Sequence, residues 1–215
     1  VEKGYIAEEI TPLTVTRKVM KKDAEPYEEE FTVVADECNR PSTTLDGLSA
    51  LSPVFKKAEE GGTVTAGNAS QLSDGASATL LMSADKAKEL GVEPLGIYRG
   101  TAVAGCGPDE MGIGPVHAVP KLLKRHGLTI DDIDIIEINE AFASVPLRYM
   151  RSLDIDHEIT NVNGGAIAMG HPLGATGGCL VSTVLDELER RALNRAMISL
   201  CVGGGMGIST LIERC

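Results

Sequence analysis

The amino-acid sequence predicts an α/β fold in which helices cover a sheet. Residues 133–138 form a short β-branched run, which is typical of a buried strand. Near the end of the chain, residues 197–202 and 208–213 predict two more strands, joined by a glycine-rich turn. Between these landmarks, apolar residues recur at the spacing of an amphipathic helix, namely Val181, Val184, Leu185 and Leu188.

The remaining elements of the chain follow from local patterns. Residues 75–90 form an alanine-rich segment with a charged end, which predicts either a strand or a helix. Residues 97–104 predict a strand, and residues 117–126 predict a helix that tolerates Pro120 only in its first turn. The run 133–138 leads directly into a helix that carries Phe142, Val145, Tyr149 and Leu153. The charged residues of the last helix are expected to face mostly outward; these are Glu187, Glu189, Arg190 and Arg191.

The first third of the chain is its least regular part. Residues 1–73 carry the charged stretches 17–22 and 28–30 together with several turn signals. Charge runs of this kind usually coat a solvated surface. The chain starts at Val1 without an initiator Met or a signal-peptide pattern, so we expect the middle of a longer protein.

The composition excludes several classes of function. With 20 basic and 31 acidic residues the net charge is −11, which argues against nucleic acid or an anionic membrane as partner. An anionic small ligand is not excluded, because a few local cations or helix N-termini can hold one. No apolar run approaches the roughly 18 residues needed to span a bilayer. The five cysteines include no Cys-x-x-Cys pair, which indicates free thiols in a reducing compartment (the cytoplasm or an organelle matrix) and no zinc site.

The first cluster with chemical potential is residues 139–142, Asn-Glu-Ala-Phe, directly after the strand predicted at 133–138. An asparagine at this point can project its amide into a cleft at the carboxyl edge of the sheet. It can equally cap the following helix, where asparagine is favoured. The local sequence leaves both interpretations open for Asn139.

The second cluster is the glycine-rich segment 163–177, whose backbone can turn sharply and approach a ligand closely. It lacks the Gly-x-x-x-x-Gly-Lys-Ser/Thr pattern of a phosphate-binding loop. Its single histidine, His171, is either a catalytic group or a hydrogen-bonded structural residue.

The third cluster is residues 199–207, where Cys201 stands near a strand end and faces a run of glycines. Such a cysteine can be a reactive thiol beside an oxyanion site, or an inert packing residue. The other four cysteines lack this setting and are predicted to be packing residues: Cys38, Cys106, Cys179 and Cys215.

Together, the three clusters resemble the thiolase family. The matching motifs are Asn-Glu-Ala-Phe at 139–142, the histidine loop at 163–177 and Cys-Val-Gly-Gly-Gly-Met-Gly at 201–207, in family order. Residues 62–70 resemble the family's pantetheine-contacting segment. The resemblance covers essentially the whole chain.

The resemblance implies the C-terminal half of a thiolase fold, a mixed five-stranded sheet covered by helices, with part of the loop domain. It assigns residues 1–73 to the coenzyme A-binding loop domain, residues 74–93 to the last segment of the N-terminal domain and residues 94–215 to the C-terminal domain. The family's nucleophilic cysteine precedes this region, so we expect the N-terminal nucleophile domain to be missing and to be supplied by the same or a separate polypeptide. The implied assembly is a homodimer or homotetramer.

The resemblance also implies catalytic roles. Cys201 matches the acid/base cysteine, which takes the α-proton of acetyl-CoA in condensation, or protonates the leaving enolate and then deprotonates coenzyme A in cleavage. His171 matches the histidine that activates the nucleophile and binds the thioester oxygen, and Asn139 matches the residue that positions a water beside it. The backbone N–H of Gly203 matches half of a second oxyanion hole.

Coenzyme A and its acyl thioesters are the implied substrates, with no tightly bound cofactor and no metal. The predicted binding residues are Ser70 and Ala66 at the pantetheine, Arg40 near the adenine, Phe142 and Met111 in the acyl pocket, and Leu72.

The implied function is acyl transfer to or from coenzyme A with Claisen condensation or thiolytic cleavage of a 3-ketoacyl-CoA. Fatty-acid or sterol side-chain degradation is favoured over acetoacetyl-CoA synthesis. A ketoacyl synthase would carry a histidine in place of Asn139 and would lack Cys201. The alternative from a different class is a non-catalytic coenzyme A- or lipid-binding module of thiolase descent, which would not need the Cys201 thiol.

Overall fold

The computed structural model describes residues 4–22 and 24–215, without the side chain of Glu8. These residues fall into two compact units, divided between Pro41 and Ser42. Residues 1–3, with which the first predicted domain begins, lie outside the described residues.

The first unit contains a short helix and an antiparallel pair of strands: α1 (Tyr5–Glu9), β1 (Leu13–Val19) and β2 (Tyr27–Val33). Opposite charges face each other across the pair. Arg17 is in register with Glu29, its Nε donates to the Glu29 carboxylate at 2.8 Å, and its guanidinium lies 3.8 Å from the centre of the Phe31 ring. Most of these charges are exposed as expected, whereas Glu29 is half-buried. The expectation of irregular structure was wrong here, because the charge run conceals a strand-forming alternation of Thr and Val.

The second unit contains six α-helices: α2 (Leu45–Ser49), α3 (Ala84–Leu90), α4 (Gly114–His126), α5 (Ser144–Leu153), α6 (Ala166–Met169) and α7 (Thr176–Arg190). Its four strands are β3 (Gly96–Gly105), β4 (Ile135–Ile138), β5 (Arg195–Val202) and β6 (Met206–Arg214). Short 3₁₀ turns cover Ala58–Glu60, Pro108–Ile113, Ile130–Asp132 and His157–Ile159. Among the described helices, none has the length and apolar character needed to cross a bilayer.

The four strands form one mixed sheet in the order β3-β6-β5-β4. β6 runs antiparallel to both of its neighbours, whereas β4 and β5 are parallel. All four strands coincide with predicted ones, and the glycine-rich turn joins β5 to β6 as expected. The alanine-rich segment 75–90 forms a helix only at its charged end, in α3.

The prediction of five strands was wrong by one strand. Residues 160–162 border the outer edge of β4, where Thr160 pairs with Ile136 and the Asn161 N–H donates to the Ile136 carbonyl at 2.9 Å. At Asn161 the backbone enters the left-handed region, with φ of 47°, which interrupts a strand. The Asn161 side chain then bonds to Ile138 in place of a strand backbone, so the segment covers the edge of β4 without becoming a fifth strand.

Helices cover both faces of the sheet. α4 and α5 supply one apolar cluster with Ile136, Ile138 and Met197, while α7 supplies the other with Ile135 and Ile198. Burying each of these aliphatic side chains contributes about 1.5–3 kcal/mol. Because neighbouring residues of β4 enter opposite clusters, the sheet forms the middle layer of the predicted α/β architecture.

Helix α4 departs from its predicted start. It begins at Gly114, with Pro115 in its first turn, so Pro120 falls inside the helix and the expectation that Pro120 occupies the first turn was wrong. Proline lacks the N–H that would bond the carbonyl four residues earlier. Pro120 lies on the exposed face of α4, where that carbonyl can reach water.

Glu187 of α7 also departs from its prediction. It was expected to face outward, but it is 1% exposed. Arg190 and Arg191 of the same helix form ion pairs with its carboxylate, and the Asn163 side-chain amide donates to it at 2.7 Å. These donors cover the carboxylate, which the helical pattern alone could not indicate because Asn163 comes from a distant loop.

Candidate active site

The carboxyl ends of the parallel strands β4 and β5 meet at one edge of the sheet. Ile138 is in register with Ser199, and the Asn139 N–H donates to the Ser199 carbonyl at 2.9 Å. Cys201 lies two residues further along β5. The edge therefore brings the Asn139 and Cys201 clusters side by side, at the position where open α/β sheets commonly bind ligands.

A chain of hydrogen bonds orients the Asn139 amide and the His171 ring. Asn139 Nδ2 lies 3.2 Å from His171 Nε2, and His171 Nδ1 lies 2.6 Å from Thr176 Oγ1. The Thr176 hydroxyl donates to the Pro172 carbonyl at 3.0 Å. Because this hydroxyl has one proton, it must accept from His171 Nδ1–H. The network therefore assigns the Nδ1–H tautomer and leaves the Nε2 lone pair for the Asn139 amide.

The surroundings of this pair suit acid–base chemistry. Burial lowers the pKa of His171, so the ring is neutral at pH 7 and Nε2 can accept a proton. Asn139 is 1% exposed, and its Oδ1 accepts no hydrogen bond from the described residues. A buried acceptor of this kind can bind a water or a ligand donor. Asn139 does not cap the following helix, since α5 begins only at Ser144.

Cys201 is half-buried near the end of β5. Burial raises the pKa of its thiol, and the neighbouring Cys106 raises it further, so Cys201 is protonated at neutral pH. Gly203 lies exposed at the start of the following turn. A side chain at Gly205, whose φ is 90°, would collide with the Cys106 carbonyl, so the turn can pass this close only with glycine there.

The predicted pantetheine segment lies against the loops of Asn139 and His171. The Ser70 N–H donates to the Ala141 carbonyl at 3.0 Å, and the Ser70 hydroxyl donates to the same oxygen at 3.2 Å. The His171 N–H donates to the Gln71 carbonyl at 3.3 Å. Residues 70 and 71 thus connect both loops through hydrogen bonds.

The other predicted binding residues take different positions. Leu72 forms a bridge with His171 and its side chain is fully exposed, and Ala66 is exposed in a turn just before this segment. Met111 and Phe142 line one cavity of about 370 Å³, with Val145 beside them. Arg40 belongs to the first unit, so its contact with the adenine stays a prediction.

Sequence reasoning missed two residues that organise this site. Thr176 orients the His171 ring, and Glu140 bonds to the loop that leads to His171. Both stand inside the motifs singled out above, so the motifs signalled their presence but not their contacts. Within the described residues, no group of three His, Cys, Asp or Glu side chains could hold a metal ion.

Known protein families match both parts of the chain. The model for "Thiolase, N-terminal domain" matches residues 1–85, and that for "Thiolase, C-terminal domain" matches residues 92–214. The first match corrects the expectation that the N-terminal domain is missing, since residues 1–85 carry sequence of that domain. That expectation came from the absent nucleophile motif, but a domain can be present in part without it.

Individual proteins and structures agree with these matches. The 3-ketoacyl-CoA thiolase of Bacillus subtilis is 48% identical over 99% of this chain and 54% of its own length. The crystal structure of the Bacillus anthracis acetyl-CoA acetyltransferase matches with a TM-score of 0.85 at 40% identity, over 100% of this chain and 51% of that chain. The crystal structure of human mitochondrial 3-ketoacyl-CoA thiolase in complex with CoA matches with a TM-score of 0.77 at 45% identity, over 86% of this chain and 46% of that chain. The chain spans about half the length of the curated relatives it matches.

Proposed function

Because the chain belongs to the thiolase family, we propose that the protein transfers acyl groups to or from coenzyme A and makes or cleaves the carbon–carbon bond of a 3-ketoacyl-CoA. Degradation of fatty acids or sterol side chains is favoured over acetoacetyl-CoA synthesis. The observation that carries the proposal is the hydrogen-bonded pair of Asn139 and His171 at the sheet edge where Cys201 lies.

The first proposed step uses the neutral imidazole. His171 Nε2 takes the thiol proton of the family's nucleophilic cysteine, and the thiolate attacks the ketone carbon of a 3-ketoacyl-CoA. The hydrogen bond from Nδ1–H to Thr176 stabilises the imidazolium that results. The protonated Nε2 then donates to the thioester oxygen, beside the water that Asn139 would position.

The second proposed step uses the Cys201 thiol. The bond between C2 and C3 breaks, the acyl group stays on the nucleophilic cysteine, and the electron pair forms the enolate of acetyl-CoA. Cys201 gives its proton to the enolate carbon, which releases acetyl-CoA, and the resulting thiolate takes the thiol proton of coenzyme A. The coenzyme A sulfur then attacks the acyl-cysteine, which forms the shortened acyl-CoA and expels the nucleophilic cysteine as a thiolate. That thiolate takes back its proton from the His171 imidazolium. The raised pKa of Cys201 favours the protonated form with which this cleavage begins.

Oxyanion stabilisation would come from three groups. His171 and the Asn139-bound water would cover the enolate oxygen, and the Gly203 N–H would cover the oxygen of the tetrahedral intermediate. Removing one such donor typically slows catalysis by about 100–1,000-fold.

Binding of coenzyme A is proposed for residues that the sequence resemblance identified. Ser70, Ala66 and Leu72 would contact the pantetheine side, Arg40 the adenine, and the cavity at Met111 would accept the acyl chain. The human mitochondrial relative was solved with CoA, which supports coenzyme A as the ligand class.

The domain boundaries and the assembly are also proposed. Residues 1–73 would belong to the loop domain, 74–93 to the end of the N-terminal domain and 94–215 to the C-terminal domain. The assembly that the sequence resemblance implies is a homodimer or homotetramer in the cytoplasm or an organelle matrix. N-terminal thiolase sequence from the same or another chain would supply the nucleophile.

The test is a thiolysis assay of the intact protein with acetoacetyl-CoA and coenzyme A, read by loss of the 3-ketoacyl-CoA enolate absorbance. Mass spectrometry after incubation with acyl-CoA would detect the covalent acyl-cysteine. We expect both turnover and an adduct. Binding of coenzyme A without either would support the non-catalytic module instead.

A further inference from the structure

Glu140 follows Asn139 directly and joins two loops of the site. Its Oε1 accepts from the Asn161 side-chain amide at 3.0 Å, and its Oε2 accepts from the Ile167 backbone N–H at 3.2 Å. The two donors come from different parts of the loop that leads to His171. A carboxylate suits this place because both of its oxygens accept hydrogen bonds.

Asn161 extends this connection to the other side of Asn139. Its Oδ1 accepts from the Ile138 N–H at 2.8 Å, and its Nδ2 donates to the Ile138 carbonyl at 2.9 Å. Asn161 therefore binds the residue before Asn139 through the backbone and the residue after it through the Glu140 carboxylate. The position of Asn139 is set from both sides.

Ile167 extends the connection toward His171. It lies in α6, whose last turn closes through the Gly170 N–H, which donates to the Ala166 carbonyl at 2.8 Å immediately before His171. The Glu140 carboxylate sits so close to Gly165 that any side chain at that position would collide with it. The glycine at position 165 thus allows the loop to close onto Glu140.

We propose that Glu140 is a positioning residue, which sets the separation of the Asn139 amide and the His171 imidazole by tying the end of β4 to the loop of residues 161–171. Its catalytic consequence rests on the proposed thiolase activity. The geometric part of the proposal does not rest on that activity, because the contacts of Glu140 exist whatever reaction the site performs.

Glu140→Gln isolates this role. Glutamine keeps the size of the side chain but has one acceptor oxygen, so its NH₂ group must face either the Asn161 amide or the Ile167 N–H, both of which are donors. Glu137→Gln is the matched control, because it makes the same chemical change three residues earlier. The Glu137 carboxyl is 1% exposed, and its Oε1 has no hydrogen-bond partner among the described residues.

The first measurement needs no enzyme activity. In the intact protein, NMR hydrogen exchange would follow the Ile167 amide, and the ¹⁵N shift of His171 Nε2 would report its hydrogen bond from Asn139. For Glu140→Gln we expect Ile167 to exchange at least about tenfold faster and the Nε2 shift to move toward that of an unbonded nitrogen. Glu137→Gln should leave the Nε2 shift unchanged and should not accelerate exchange at Ile167. A Glu140→Gln protein that matches this control in both signals would overturn the proposal.

The second measurement uses the thiolase reaction. We expect Glu140→Gln to lower the rate constant of acylation by about 10–100-fold, with little change in KM for coenzyme A. Adding Glu140→Gln to His171→Asn should not slow acylation further, since Glu140 acts through His171. An additive loss of rate would contradict the positioning role.

If Glu140→Gln does not fold, Glu140→Asp, which keeps the charge but is one methylene shorter, should show the same pattern with a smaller loss. A wild-type protein that shows the NMR signals without turnover would leave the positioning role standing and refute the proposed function.

Discussion

Two parts of the second unit carry the residues of the proposed site but are built in opposite ways. Residues 94–215 form a four-stranded sheet with buried clusters on both faces. Residues 42–83 contain only α2 and one 3₁₀ turn, and none of residues 42–86, all of which the structure describes, is buried. The catalytic candidates Asn139, His171 and Cys201 lie in residues 94–215, and the candidates for pantetheine binding lie in residues 42–83.

The difference shows how each part obtains its precision. Asn139 takes its position from the end of the β4–β5 ladder, and Cys201 takes its position from the β5–β6 ladder, where it is in register with Gly207. A rigid scaffold of this kind holds catalytic groups within narrow tolerances. Residues 68–72 take their positions from a few hydrogen bonds to the loops of that scaffold. Changes in residues 94–215, the sheet part, should therefore affect chemistry or global stability. Changes in residues 42–83, the outer segment, should affect binding only.

The largest effect is expected for His171→Asn. It removes the only base of the Asn139–His171 pair, so acylation and carbon–carbon bond chemistry should both slow by about 100–10,000-fold. Rapid-mixing kinetics of acylation would measure this, with His117→Asn on the exposed face of α4 as control. Unchanged acylation would make His171 a structural residue and remove the catalytic role assigned to the sheet part.

A smaller effect, on stability, is expected for Glu137→Gln. Burial, together with smaller contributions from the nearby Glu140 and Glu187 carboxylates, raises the pKa of Glu137 to about 8. Because this folded-state pKa lies above the unfolded value, the wild-type protein loses stability as the pH rises from about 4.5 to about 8. Glutamine cannot ionise, so the variant should match the wild type near pH 4.5 and exceed it by about 2–4 kcal/mol at pH 7.

Chemical denaturation at several pH values would check this prediction. The expected result is a gap between the variant and wild-type free energies of unfolding that widens with pH. Parallel pH profiles would mean that Glu137 ionises as readily in the folded protein as in the unfolded chain.

The smallest effect is expected for Ser70→Ala. The substitution removes the hydroxyl bond to the Ala141 carbonyl but keeps the backbone bond to the same oxygen. A single neutral hydrogen bond contributes about 0.5–1.5 kcal/mol, so KM for coenzyme A should rise by about 2–10-fold while kcat stays near the wild-type value. Steady-state kinetics would measure both constants. A larger fall in kcat than rise in KM would mean that the outer segment also positions the chemistry.

Local patterns predicted those features of the fold that local physics determines. The β-branched run of β4 and the helical spacing in α7 each specify an element, and both elements formed where expected. The missing fifth strand depended on one backbone conformation at Asn161, and the burial of Glu187 depended on Asn163 from another loop. Neither contact leaves a periodic signal in the sequence.

The features of the site likewise divide into those that the sequence predicts and those that depend on contacts in the folded structure. The resemblance to the thiolase family singles out Asn139, His171 and Cys201, whereas the local sequence alone leaves a structural alternative open for each of them. The motifs could not reveal which partner orients the His171 ring, since Thr176 contacts it only after α7 forms. The junction between Glu140, Asn161 and Ile167 likewise exists only when the end of β4 meets the loop of residues 161–171.

The measurement that tests the central claim most directly is the comparison of single and multiple turnovers of Cys201→Ala in the intact protein. If Cys201 moves protons while another cysteine carries the acyl group, the variant will form the acyl-enzyme from an acyl-CoA, seen as a covalent mass adduct, and will have no steady-state turnover. Near-normal steady-state turnover of Cys201→Ala would contradict the acid/base role of Cys201 and with it the assignment of this sheet edge as the active site.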